Sequence, residues 1–227
     1  MDLLTIIFLT GGLFLGWSLG ANDAANVFGT AVGTRMVRFK TAAIICSLFV
    51  ILGAIISGSG TTETLSKLGT INALPGAFAA CIAAGLSVYI MTKFGLPVST
   101  TQAIVGAIVG WNLYTGSSTN VKVLITILST WILCPIIAGF IAIFFYALTK
   151  KLLNNSKLHI LRVDAYTRAA LLLAGAFGAY SLGANNIANV MGVFVPIAPF
   201  SDIKIMELFI FSSKEQLFLL GGLAIAV

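Results

Sequence analysis

The chain is poor in most of what a water-soluble domain is built from. Only 9% of its 227 residues are Asp, Glu, Lys or Arg, against about 25% in ordinary globular domains, so a soluble fold is excluded. There is one histidine, His159, set in a basic stretch, which leaves no histidine metal site or catalytic triad to assemble. Cys46, Cys81 and Cys134 stand isolated in apolar runs without CxxC or Cys/His spacing, and read as packing residues. With no nucleotide motif, metal cluster or nucleophile–base pair, the chain is not read as an enzyme.

What is abundant is apolar sequence: 59% of residues are hydrophobic and the mean hydropathy is +1.05. The runs Leu3–Val32, Thr41–Gly58, Ala73–Phe94, Val121–Thr149 and Ala169–Val195 each reach the roughly 17–25 residues that cross a bilayer. These spans predict an all-α, polytopic membrane protein. The first run is not read as a cleaved signal peptide, because no basic residue precedes it and its polar motif recurs far downstream. The net charge is +6, and eight of the 13 basic residues fall in two clusters, Arg35, Arg38 and Lys40, and Lys150, Lys151, Lys157, Arg162 and Arg168. Such clusters mark cytoplasmic loops rather than a nucleic-acid footprint.

One stretch violates the apolar pattern. Ser18–Val27 (SLGANDAANV) places Asn22, Asp23 and Asn26 inside the first span, and Ser181–Val190 (SLGANNIANV) repeats it. Between residues 18–32 and 181–195, ten of fifteen positions are identical at an offset of 163. A carboxylate and amides at bilayer depth cost several kcal/mol unless partnered. Two matching copies therefore point to a duplicated binding element. The run from Leu3 to Gly33 would make a helix of about 46 Å, too long for a core of about 30 Å. A break near Gly20–Asp23 relieves this, since Gly, Asn and Asp are poor helix-interior residues. Gly12, Gly16 and Gly20 form a small-residue row suited to close helix packing.

Residues 59–72 read as an extracytoplasmic loop. Residues 73–94 lead into Gly95-Leu96-Pro97-Val98-Ser99-Thr100-Thr101-Gln102, followed by an apolar stretch to Tyr114. Gly and Pro end one helix and Ser99 or Thr100 can cap the next. The result is a hairpin over 73–115 with a polar tip, the preferred reading, or two crossings joined by an interfacial turn. Residues 196–213 form a mixed-charge connection before a last apolar helix from Lys214. If both basic loops are cytoplasmic, the two motif helices run in opposite directions, as an inverted-topology repeat requires. Residues 1–163 are then a first repeat, and 164–227 the incomplete start of an inverted second one.

Gly20–Thr30 (GANDAANVFGT), Gly95–Gly110 (GLPVSTTQAIVGAIVG) and Gly183–Gly192 (GANNIANVMG) closely resemble the signatures of the inorganic phosphate transporter (PiT) family. The resemblance covers nearly the whole chain and implies symport of phosphate with sodium or protons on an inverted-repeat fold with broken helices. Two departures stand out. Family members usually carry a second PVSTT-type hairpin after the second motif, which is absent from these 227 residues, so that the chain resembles a little over half of a member. Asn186 stands where the family commonly has Asp.

Phosphate needs N–H and hydroxyl donors, and a helix N-terminus supplies them. Ser99, Thr100, Thr101 and Gln102 are the candidate oxyanion contacts, joined by Asn22 and Asn185. Asp23, Asn26, Asn186 and Asn189 are the candidate cation ligands, with Asp23 and Asn189 holding Na⁺. No Arg or Lys lies within the three motifs; Lys93, just before the tip, is the nearest. Moving a multiply charged anion beside Asp23 into the bilayer is prohibitive unless cations enter with it. Na⁺, or protonation of Asp23 or of phosphate, meets that need. The expected activity is secondary-active phosphate symport by alternating access in the plasma membrane, with no resident cofactor and no nucleic acid. The alternative is a channel-like or half-length subunit that needs a partner chain, whether the remainder of the transporter, a second polypeptide or another copy.

Overall fold

A computed structural model describes residues 3–68, 74–96, 98–155, 159–197, 200–205 and 209–227. Pro97 and Lys157, both singled out above, lie outside the described residues. The elements in order are α1 (Leu3–Leu19), a π-helical turn (Gly20–Ala24), α2 (Ala25–Gly33), α3 (Phe39–Ser57), α4 (Ser59–Ser66), α5 (Leu74–Lys93), α6 (Thr100–Thr115), α7 (Val121–Asn155), α8 (Ile160–Met191), a 3₁₀ turn (Gly192–Ile197), β1 (Ile203–Ile205), β2 (Phe209–Phe211) and α9 (Ser213–Ala226). Among the described residues four helices are long and apolar enough to cross a membrane: Leu3–Gly33, Phe39–Ser57, Leu74–Lys93 and Val121–Asn155. The 32-residue α8 is of similar length to the longest of these but carries the three asparagines of the second motif.

The expected break in the first span takes a particular form. Backbone angles on both sides of Gly20–Ala24 stay helical, so the helix is widened by one turn rather than unwound. The Asn26 side chain donates to the Asn22 carbonyl at 3.1 Å and so takes up one backbone oxygen of the widened turn. Single π turns inside α-helices are a recurring device at functional sites. The second copy differs. It stays α-helical through Met191 and departs from α geometry only at Gly192–Ile197.

Packing crosses the two halves of the chain. α8 lies along α3, α9 lies along both α1 and α3, and α5 sits between α1 and α6. Glycine permits the close approaches. A Cβ at Gly183 would strike the Val50 carbonyl of α3, and one at Gly20 would strike the Ile225 carbonyl of α9. Gly20 and Gly183 are the same position of the two motif copies, so each motif helix uses the same glycine to seat a helix of the other half. Gly12 and Gly16, from the same row, press against Val190 and Ala224, which is the packing role expected of them. The core closes around α8, where every residue from Asn186 to Phe194 is buried.

Three segments read as loops are more ordered than expected. Residues 59–66 form α4, held by Thr62 donating to the Gly58 carbonyl at 2.8 Å and by burial of Leu65 and Leu68. The connection after Ile197 contains a small antiparallel ribbon, Ile203 opposite Phe211, in which Ile and Phe suit the extended backbone. The basic stretch to Arg168 is mostly helical, because α8 starts at Ile160, capped by His159 accepting from the Leu161 N–H. Cys46 and Cys81 are buried, as a packing role requires, but Cys134 is exposed on α7. None of α7's residues is buried, and only Val123, Leu124, Ile127 and Trp131 touch the core.

Candidate functional site

The polar motifs meet at the tip of the α5–α6 hairpin. Ser99 caps α6, its Oγ accepting from the Gln102 N–H at 3.3 Å. That leaves the N–H groups of Thr100 and Thr101, the first two of the helix, without an intrahelical acceptor. Thr100 is buried, and its Oγ1 donates to Asp23 Oδ2 at 3.3 Å. One residue on, Thr101 Oγ1 accepts from Asn189 Nδ2 at 2.9 Å. Consecutive hydroxyls of one turn thus touch both motif helices.

Each motif is braced before it reaches the tip. Asn22 Nδ2 donates to Asp23 Oδ1 at 2.7 Å and to the Val98 carbonyl at 2.9 Å, and its Oδ1 accepts from Thr92 Oγ1 at 3.3 Å. In the second copy, Asn189 Nδ2 also donates to Asn186 Oδ1 at 2.8 Å, and both amides are buried. A buried amide left unpaired costs roughly 1–3 kcal/mol, so these bonds fix the rotamers. Asp23 makes no ion pair among the described residues, and Lys93, the basic residue just before the hairpin tip, is exposed.

Of the candidate residues, Asn22, Asp23, Thr100, Thr101, Asn186 and Asn189 come together. Ser99 joins them only as the cap, and the side chain of Gln102 is exposed at the turn. Asn26 and Asn185 are exposed too, and neither reaches the tip. The two copies therefore share one position at the hairpin, Asp23 and its mate Asn186, and differ in the other. The first turns Asn22 and Asp23 to the hairpin, the second Asn186 and Asn189. Widening a helix by one residue rotates its downstream turns by about 100°, and only the first copy carries that π turn. Sequence reasoning missed Thr92 and the Val98 carbonyl. A lone threonine in the last turn of an apolar helix, beside Lys93, was the available signal for the first.

Chemically, the cluster offers one carboxylate, amide oxygens at Asn22, Asn186 and Asn189, two hydroxyls and a helix N-terminus. Carboxylate and amide oxygens suit a hard cation, while N–H and O–H donors suit an oxyanion. A cavity of about 530 Å³ between α2 and α3 includes none of these residues and is mostly apolar, lined by Phe28, Val32, Phe39 and Val50.

The chain has relatives among known proteins. A family model described as "Phosphate transporter family" matches residues 19–227. Relatives named "Putative phosphate permease" are 38% identical over 165 residues in Pyrococcus furiosus, covering 68% of this chain and 40% of that protein, and 39% identical over 166 residues in Thermococcus kodakarensis, covering 68% and 41%. One in Chlamydia trachomatis is 31% identical over 218 residues, covering 88% and 48%. The chain thus spans a little under half the length of these relatives. A solved structure described as "The sodium-dependent phosphate transporter" superposes with a TM-score of 0.76 at 24% identity, over 99% of this chain and 74% of that one, and shows the same predominantly helical fold. With a family match running from residue 19 to 227, through both polar motifs and the hairpin between them, this multi-pass membrane protein belongs to the phosphate transporter family.

Proposed function

We propose that the chain carries inorganic phosphate across the plasma membrane together with Na⁺, by alternating access of one repeat-derived unit against the other. The carrying observation is the double attachment of the hairpin tip, Thr100 to Asp23 and Thr101 to Asn189. Phosphate is bound at the α6 N-terminus by the free N–H groups of Thr100 and Thr101 and by the hydroxyls of Ser99, Thr100 and Thr101, with Gln102 and Asn22 as further contacts; Asn185, exposed and away from this tip, joins only where a second hairpin-bearing chain completes the site. Na⁺ is held by Asp23 with amide oxygens of Asn186 and Asn189, while Asn26, exposed and bonded to the Asn22 carbonyl, stays outside this cation set. Charge balance supports the coupling, because Asp23 and phosphate repel one another in a site that lacks a paired basic side chain. Sodium is favoured over protons by the description of the structural neighbour.

In this reading residues 1–163 are one repeat and 164–227 the start of its inverted mate. The reciprocal glycine seats at Gly20 and Gly183 support that division. The basic loops 35–40 and 150–168 face the cytoplasm. In support, Arg168 Nη1 donates to the Met36 carbonyl at 3.0 Å, so the end of the second stretch touches the first. A second reading, favoured by the exposed Asn26 and Asn185, is a subunit whose oxyanion site a partner chain completes.

The test is uptake of radiolabelled phosphate into proteoliposomes, with Na⁺ and pH gradients imposed separately. Uptake driven by the Na⁺ gradient alone supports sodium symport. Uptake following only the pH gradient replaces Na⁺ by H⁺, and flux that ignores both gradients removes the symport reading. Activity that appears only with a second polypeptide supports the subunit reading.

A further inference from the structure

The two threonines of the hairpin tip hold their hydroxyl protons differently. Thr101 Oγ1 is an acceptor, taking the Asn189 amide proton, so its own proton is uncommitted. Thr100 Oγ1 faces a carboxylate oxygen, Asp23 Oδ2. An ionised carboxylate accepts only, so the single hydroxyl proton of Thr100 must be the one donated. Thr100 cannot give that proton to Asp23 and to an oxyanion at once. Asp23 Oδ1 is likewise occupied, by Asn22 Nδ2, and Asn22 is locked in that orientation by Thr92 and Val98.

We propose that Thr100 is the coupling residue of the site: its hydroxyl stays turned to Asp23 until a cation occupies that carboxylate, and only then donates to phosphate. The inference rests on the phosphate–cation reading of the site given above. A cation at Asp23 Oδ2 withdraws the acceptor and leaves the hydroxyl oxygen to face the positive charge, with its proton directed outward to the anion. Cation binding therefore precedes tight phosphate binding. The hydrogen bond to phosphate at Thr100 exists only in the cation-loaded protein, whereas the one at Thr101 exists in both states.

The experiment is equilibrium binding of radiolabelled phosphate to the purified chain in lipid nanodiscs, in NaCl and in choline chloride. Thr100→Val, Thr100→Ser and Thr101→Val are compared with the parent chain. One hydrogen bond to a charged group corresponds to about tenfold in affinity. Thr100→Val is expected to weaken phosphate about tenfold in NaCl and to leave the choline value where it was. Thr100→Ser keeps the parent pattern, and Thr101→Val weakens phosphate in both salts. Should Thr100→Val fail to fold, Thr100→Ala provides the same comparison. Equal losses in both salts make Thr100 an ordinary phosphate contact and overturn the proposal, as does no loss in either. Equal parent affinity in NaCl and choline also overturns it while leaving phosphate recognition intact. Absence of phosphate binding in every condition removes the underlying reading and the proposal together.

Discussion

Asn189 and Thr101, 88 residues apart, are joined by a 2.9 Å hydrogen bond from the amide to the hydroxyl. The bond crosses from the buried stretch of α8 to the first turn of α6, and its neighbour Thr100 reaches the other motif helix through Asp23. The hairpin tip is thus pinned at two adjacent residues to two helices. Any motion that separates those helices must break one of the pins or carry the tip along.

The first prediction concerns the Asn189 pin. Asn189→Ala removes the donor shared by Thr101 and Asn186 and leaves the Asn186 oxygen buried without its partner. A loss of roughly 1–3 kcal/mol in stability is expected, together with at least about a tenfold loss of phosphate uptake. Thermal unfolding in detergent and proteoliposome uptake, measured side by side, check it. Asn189→Ala with unchanged unfolding and uptake would show that the bond carries neither packing nor transport.

Much of this arrangement is legible in the chain alone. The 163-residue repeat, the hairpin, the cap at Ser99 and the glycine row are all local patterns, set by chain chemistry at fixed spacing. Helix phase is not legible in that way. Asn22 and Asn185 are identical positions in the two copies, yet only Asn22 faces the tip, because the π turn at Gly20–Ala24 re-aims one copy and not the other. That turn lies where Gly20 is pressed against the Ile225 carbonyl of α9, a contact between residues about two hundred positions apart. For the same reason α4 reads as a loop in sequence: its polar composition hides how Thr62 and Leu65 are buried against the second half of the chain.

Close packing gives the second prediction. At Gly183 an added Cβ meets the Val50 carbonyl, which belongs to backbone and cannot rotate away. Gly183→Val must push α8 off α3, and overpacking of this kind costs typically about 1–3 kcal/mol. Gly29, where a Cβ meets nothing within 4 Å, is the control on the first motif helix. Gly29→Ala is expected to unfold at the parent temperature and Gly183→Val well below it, read by fluorescence-detected thermal denaturation.

Topology supplies the third. The Arg168–Met36 bond places the loop after α2 and the start of α8 at one end. Single cysteines introduced at Arg38 and Arg162, in a chain with Cys46, Cys81 and Cys134 replaced by Ser or Ala, are expected to react with a membrane-impermeant maleimide from the same side. Inverted vesicles should label both and intact cells neither. Labelling from opposite sides would break the cytoplasmic assignment of the basic loops.

The last prediction concerns the two idle amides. Asn26 and Asn185 are the 163-offset mates of Asn189 and Asn22, the residues that grip the hairpin. Under the two-fold relation implied by the reciprocal Gly20 and Gly183 seats, a second hydroxyl-bearing tip would be gripped by Asn185 and Asn26. No such hairpin occurs within these residues, and both amides are exposed. Asn185→Ala should therefore leave unfolding temperature and phosphate affinity of the isolated chain unchanged. Asn22→Ala, which strips Asp23, Val98 and Thr92 of a partner at once, should lower both, the affinity by about tenfold. If a second polypeptide bearing such a tip is supplied, Asn185→Ala should become as damaging as Asn22→Ala. Equal damage from the two in the chain alone would mean that Asn185 already contacts phosphate directly, and that the two motif copies act alike despite the π turn in only one of them.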